Sequence, residues 1–170
     1  MNKQWILSDT HFGHSNIIKY CNRPFSNADE MDKVMIQNWK DTVKEGDIIW
    51  HLGDVAMCGM KDKDKLSTLI HSLPGYKKLI LGNHDHSDIN RWREIGFDEV
   101  YPYPVIINKF FILSHDIVFL NENVLLHNIH GHLHDKNIDS KCYTNVSVEL
   151  TDYRPIDLDV LMKIIIEENN

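Results

Sequence analysis

Eleven histidines fall among 170 residues, and their placement carries the chemistry. Gly131-His132-Leu133-His134 sets two imidazoles two residues apart behind a glycine. Residues i and i+2 share one side of a strand; at an irregular strand end they can splay towards two neighbouring points, with the glycine expected to permit the bend. Imidazole is the commonest side-chain metal ligand, so the pair points to a metal. Asp9-Thr10-His11 repeats the spacing with a carboxylate, a combination suited to a divalent metal of intermediate softness. Gly53-Asp54, Gly82-Asn83-His84-Asp85 and Ser114-His115 complete the set. A polar turn with a capping aspartate accounts for Asp9 and His11 alone. It does not account for all five groups.

Each group follows a short apolar run that reads as a buried strand: Trp5-Ile6-Leu7, then residues 47–52, 77–81, 110–113 and 124–129. Open α/β sheets place ligands at the carboxyl ends of such strands. Five metal-competent ends therefore converge on one site. A zinc ion takes about four protein ligands, whereas Asp9, His11, Asp54, Asn83, His115, His132 and His134 are all available. The surplus implies two cations and an anion to bridge them. Asp54, alone on its strand with both oxygens free to bind, is the natural bridge. Such a site performs in-line displacement on phosphoesters, with a metal-bridged hydroxide as nucleophile. His84 directly follows Asn83, so the two side chains cannot easily bind one metal together. This leaves His84 as the expected proton donor, with Asp85 to orient it.

Helices must separate these strands. Asn27 and Glu30 form a capping-box pattern, and Met31, Val34, Met35, Trp39 and Val43 recur at helical spacing up to a stop at Gly46. A second helix spans 62–72, with Leu66, Leu69, Ile70 and Leu73 facing inward. Asp88 caps a short helix closed by Gly96. Residues 100–107 and 110–113 read as a hairpin turning at Asn108-Lys109. Residues 143–150 read as a strand, and Asp157 caps a last helix. Before the first long helix, residues 16–20 form a helical turn and 22–25 an extended loop, because the residue before a proline avoids the helical region. Position alone favours a surface role for Arg23 over a phosphate clamp; Arg23 and His14 in this stretch are the hypothetical phosphate contacts. His51, His71 and His127 are expected as packed or surface residues, and His86 and His130 as supports for the ligands.

The totals fit one soluble domain over residues 1–170: 42% hydrophobic and 25% charged. A net charge of −7 argues against stable nucleic-acid binding. It leaves phosphate esters open, since bound cations reverse charge locally. Ile164-Ile165-Ile166 is too short for a bilayer, and a strand starting beside Met1 leaves no room for a signal peptide. Three dispersed cysteines suit free thiols in a reducing cytoplasm.

The ordered set Asp9-x-His11, Gly53-Asp54, Gly82-Asn83-His84-Asp85, His115 and Gly131-His132-x-His134 resembles the calcineurin-like metallophosphoesterase family, in its compact bacterial and phage form. The resemblance implies an α/β/β/α sandwich with two central mixed β-sheets. It assigns one metal to Asp9, His11, His134 and bridging Asp54, and the other to Asp54, Asn83, His115 and His132. His84 matches the catalytic histidine. Relatives often carry proline where Ile117 stands here. The implied function is hydrolysis of phosphodiesters or small organic phosphates, since so compact a chain has little material for a lid. The alternatives are a phosphomonoesterase or protein phosphatase of the same fold, or a scaffold like the family's retromer subunit, whose catalytic histidine is replaced. Here His84 is present with every ligand. Mixed His/Asp/Asn ligation suits manganese foremost, with iron, zinc, nickel and cobalt as competitors.

Overall fold

The computed structural model describes residues 2–57, 63–121 and 125–168. Asp62 and Val124, expected to open a helix and a strand, lie outside the described residues, as does Cys58. The elements run β1 (Gln4–Leu7), α1 (Ser15–Tyr20), α2 (Ala28–Thr42), β2 (Ile48–His51), α3 (Lys63–His71), β3 (Tyr76–Ile80), α4 (Ile89–Ile95) and β4 (Glu99–Tyr101). After these come β5 (Val105–Ile107), β6 (Phe111–Leu113), β7 (His127–His130), β8 (Tyr143–Asn145), a 3-10 turn (Val148–Leu150), β9 (Ile156–Asp157) and α5 (Leu158–Glu168).

Two mixed sheets flanked by helices result. The first has order β4-β3-β2-β1-β9, parallel except for β9; the second has order β5-β6-β7-β8, with only β5 antiparallel to its neighbour. Alternation along each strand divides the core. Leu7, Ile49 and Leu79 join Met31, Met35 and Trp39 of α2 on one face. Ile6, Trp50 and Ile80 meet Phe111, Leu113 and Ile129 of the second sheet, together with Leu158 and Met162 of α5, on the other. Each fully buried side chain of this kind contributes roughly 1.5–3 kcal/mol.

The local signals explain most boundaries. Asn27 caps α2 as expected, accepting from Glu30 N (2.9 Å), while Glu30 reaches one residue beyond the cap and accepts from Ser26 N (2.7 Å) in place of Asn27 N. That helix stops at Thr42, short of Gly46, because Val43 is already extended and Gly46 serves the following turn at φ +89°. The expected strand over 100–107 is two strands in two sheets. Pro102 and Pro104 interrupt it, lacking the N–H groups a continuous ladder needs. Only β5 and β6 form the hairpin. The expected strand over 143–150 ends at Asn145 and gives way to the 3-10 turn. The two-residue β9 has no counterpart in the sequence reading.

His127 is buried in β7, with Nε2 bonded to Thr144 Oγ1 (2.8 Å). Burial, then the charge of His130, pushes it down from 6.5 to about 4. Between those values the unfolded chain binds the proton and the folded chain does not, so stability falls as pH drops through this window. Urea denaturation of His127→Gln should lose less stability between about pH 6.5 and about pH 4.5 than the parent. An equally steep loss would exclude His127 as a source of the acid sensitivity.

Candidate metal centre

The backbone enters the left-handed region at Asp9 (φ 61°), His11 (49°), Asp54 (54°), His132 (68°) and His134 (53°). Such conformations cost roughly 1–2 kcal/mol for an L-residue, and they cluster where side chains must be aimed. They are held by hydrogen bonds between strand ends: Asp9 N to Gly53 O (3.1 Å) and His11 N to Asp54 O (3.0 Å). Beside them, Ser8 N donates to Val146 O and Val148 N to Ser8 O, both at 3.1 Å. This parallel bridge between Ser8 and Ser147 stitches the two sheets together at the site.

Three glycines admit the close approach. A Cβ on Gly82 would lie 2.3 Å from Asp54 Oδ1, one on Gly53 2.4 Å from Gly82 N, and one on Gly131 2.0 Å from Ser8 Oγ and 2.4 Å from Asp9 Oδ2. Gly131 was expected to splay the two histidines by its flexibility. Instead His132 and His134 make the left-handed turns themselves, and Gly131 supplies space. Gly131→Ala is therefore expected to displace the Asp9 carboxylate and cost on the order of 10²-fold in turnover, as small misplacements do. Calorimetry should show weakened metal binding as well; parent-like binding would mean the contact relaxes harmlessly.

The side chains meet as follows. Asp54 Oδ2 lies 3.5 Å from His11 Nε2 on one side and 3.5 Å from His115 Nε2 on the other. Both Asp54 oxygens were expected to be free, but Oδ1 accepts from His84 N (2.9 Å), which leaves Oδ2 as the shared atom. His115 Nδ1–H donates to Leu52 O (2.8 Å), so Nε2 carries a lone pair. That lone pair faces Asn83 Oδ1 at 2.9 Å, with His132 Nδ1 at 3.2 Å. Three atoms able to ligate a metal thus converge on one point. On the other side, donor atoms of Asp9, His11 and His134 lie within 4.8 Å of one another. Asp9 Oδ1 and both ring nitrogens of His11 are buried without hydrogen-bond partners. Burial, helped by the charges of Arg23, His134, His14 and His84, pushes His11 down to about 2, leaving it neutral and able to ligate. Burial also raises the Asp54 carboxyl, against the pull of His115 and the His84 N–H. Partnerless buried donors of Asp9 and His11 on one side of the Asp54 carboxylate, and the converging Asn83, His115 and His132 on the other, form the donor set a divalent metal satisfies.

The flanking residues divide. His84 is exposed, 5.7 Å ring to ring from His11, and borders the same cavity as His14. His14 lies 5.4 Å from His11. Asp85 does not orient His84. Its carboxylate accepts from Asp54 N (2.8 Å), Gly82 N (2.9 Å) and Val55 N (3.0 Å), pinning two strand ends together. Arg23 is not placed to touch a phosphate. Its buried guanidinium donates to the carbonyls of Asp9 (2.7 Å) and Thr10 (3.0 Å) and to Glu149 Oε1. His86 and His130, expected to support the ligands, bond elsewhere: the His86 ring accepts from Asp88 N, and the His130 ring pairs with Gly131 O. His51 is packed, with Nε2 against Thr10 Oγ1 (2.9 Å). The sequence reading missed Ser147, which donates to Asp9 Oδ2 (2.9 Å), and Glu149, which accepts from His134 Nδ1 (3.0 Å). It also missed Asp116, 3.4 Å from His132 Nδ1. Only their chain neighbourhood could have hinted at them.

Strand-end carboxylates and imidazoles gathered in a two-sheet frame define a metal-dependent phosphoesterase. The chain belongs to the calcineurin-like phosphoesterase family, whose profile matches residues 3–166. An uncharacterized protein of Methanocaldococcus jannaschii, MJ1445, is 39% identical over 172 residues, covering 97% of this chain and 92% of that protein. The Gene 66 protein of mycobacteriophage L5 is 34% identical over 85 residues, half of this chain and 41% of the phage protein. The crystal structure of AQ665 from Aquifex aeolicus, a protein of unknown function, superposes with a TM-score of 0.76 at 29% identity, covering 96% of this chain and all of that one. No helix among the described residues is long and apolar enough to cross a membrane.

Proposed function

We propose that the chain is a dinuclear-metal-dependent phosphoesterase that hydrolyses phosphodiesters or small organic phosphates. The observation that carries this reading is Asp54 Oδ2, equidistant from His11 Nε2 and His115 Nε2. Asp9, His11, His134 and Asp54 would hold one ion; Asp54, Asn83, His115 and His132 the other. When bound, divalent cations supply Lewis acidity that activates water and offsets charge on phosphoryl oxygens. Asp54 holds the His84 backbone through Oδ1, which keeps the exposed imidazole at the cavity edge to protonate a departing alkoxide. His14 borders that cavity and is the remaining candidate phosphate contact.

The cavity measures about 530 Å³, within the range that holds a nucleotide-sized molecule. Beyond the histidines, apolar Ile17, Tyr20, Met57 and Leu133 form one part of the lining and Asn16, Asp135 and Lys136 a polar part, with Tyr20 75% exposed. This apolar wall has room for a second ester substituent, which supports diesters over monoesters. Manganese is the proposed native metal, ahead of iron, zinc, nickel and cobalt, and a small phosphoester or nucleotide the partner. The proposed setting is the cytoplasm, without stable nucleic-acid or membrane association. Turnover of bis(p-nitrophenyl) phosphate against p-nitrophenyl phosphate, with each metal supplied in turn, tests the reading. Faster diester cleavage is expected. Hydrolysis of neither compound with any metal would point to a scaffold.

A further inference from the structure

We infer that Arg23 and Glu149 are positioning residues that preset His134 for the metal it shares with Asp9 and His11, and so grade the two metal positions. The inference rests on the dinuclear reading above. Glu149 sits in the 3-10 turn after β8, with its side chain 4% exposed, and Arg23's side chain is fully buried. Glu149 Oε1 accepts from Arg23 Nε (2.9 Å), Arg23 Nη2 (2.6 Å) and His134 Nδ1 (3.0 Å). A carboxylate only accepts, so His134 carries its proton on Nδ1 and keeps its lone pair on Nε2 for ligation. A carboxylate behind a metal-ligating histidine fixes its tautomer and ring orientation.

Arg23 extends the support to the other ligands. Its Nη1 and Nη2 bind the carbonyls of Thr10 and Asp9, between the left-handed turns at Asp9 and His11. One guanidinium thus fixes the backbone that aims Asp9 and His11 and the carboxylate that aims His134. Among the described residues, the hydrogen bonds and ion pairs of Arg23 and Glu149 go to Asp9, Thr10, Met31, His134 and each other, away from Asn83, His115 and His132. Cys21 also has its sulfur within 4.8 Å of His134 and Glu149 donor atoms. With the Arg23 charge 2.6 Å from Glu149, that corner repels a cation, and it is read as support. A buried ion pair seldom adds stability over apolar residues of similar volume. Its value here is orientation.

The test uses the full chain and manganese(II) alone, titrated by calorimetry. The parent should bind two ions. Glu149→Gln should weaken one binding event by roughly 10–100-fold, the usual scale for such supports, and leave the other unchanged. In a His134→Ala background the same substitution should have no further effect. Should Glu149→Gln fold poorly, the paired variant Arg23→Met/Glu149→Leu removes both charges together, which buried pairs commonly tolerate, and should show the same one-sided weakening. Imidazole nitrogen-15 shifts of the metal-free chain should report Nδ1–H at His134 in the parent and lose that signature in the paired variant, where no acceptor faces Nδ1. Unchanged affinities, or equal weakening of both events, would overturn the inference while leaving the dinuclear reading intact. A parent that binds no manganese would instead remove the dinuclear reading itself.

Discussion

Asp54→Asn is expected to release both metals and abolish turnover without unfolding the chain. Asparagine keeps the shape of the side chain, and its Oδ1 can still accept from His84 N, the bond that ties two strand ends. What it removes is the negative Oδ2 that sits 3.5 Å from both His11 and His115. Neither group of ligands then has its shared anion, and two cations brought close together are no longer screened. Loss of metal removes several kcal/mol of transition-state stabilisation, so activity should fall by on the order of 10³-fold or more. Metal analysis after dialysis should show both ions gone together. Retention of one tightly held ion would show that Asp54 belongs to a single site.

His84→Ala should behave in the opposite way, keeping both ions and losing rate by ~10²–10⁴-fold, the range for a removed general acid. Its ring is exposed at the cavity edge while its backbone N–H carries the structural bond. Alanine therefore deletes the proton donor and leaves Asp54 held. The leaving group supplies a second readout. A nitrophenolate departs without help, an alkoxide does not, so the loss should be larger for an alkyl ester than for a nitrophenyl ester. Equal losses would refute proton donation and favour a role in stabilising charge on the phosphoryl group.

The strand ends were legible because each combines an apolar run, often a glycine, and a ligand-type side chain, all local in sequence. The split between β4 and β5 was legible too, since Pro102 and Pro104 stand inside the run; hydrophobicity outweighed them in the reading. Other features were not legible for physical reasons. Glu149 accepts from Arg23 across 126 positions of chain, and no local pattern announces such a pair. Asp85 stands beside His84 in sequence, yet three backbone N–H groups claim its carboxylate. Gly131 signals a special backbone in sequence, whereas its requirement is the space taken by Ser8 and Asp9. Residue type pointed to the candidate metal-binding side chains; the supporting shell is fixed only when the two sheets dock.

That docking has a consequence for how the enzyme tolerates change. Asp9, His11, Asp54 and Asn83 follow strands of the first sheet, while His115, His132 and His134 follow strands of the second. Each proposed metal position therefore draws on both halves, with the Ser8–Ser147 bridge as the hinge pin beside them. The inter-sheet packing of Ile6, Trp50, Phe111, Leu113 and Ile129 acts as a calliper set to the span between the jaws. Close-packed interiors transmit rather than absorb a change of volume. A methylene added or removed deep between the sheets is thus read out at the mouth of the site as altered ligand spacing, though no ligand has been touched.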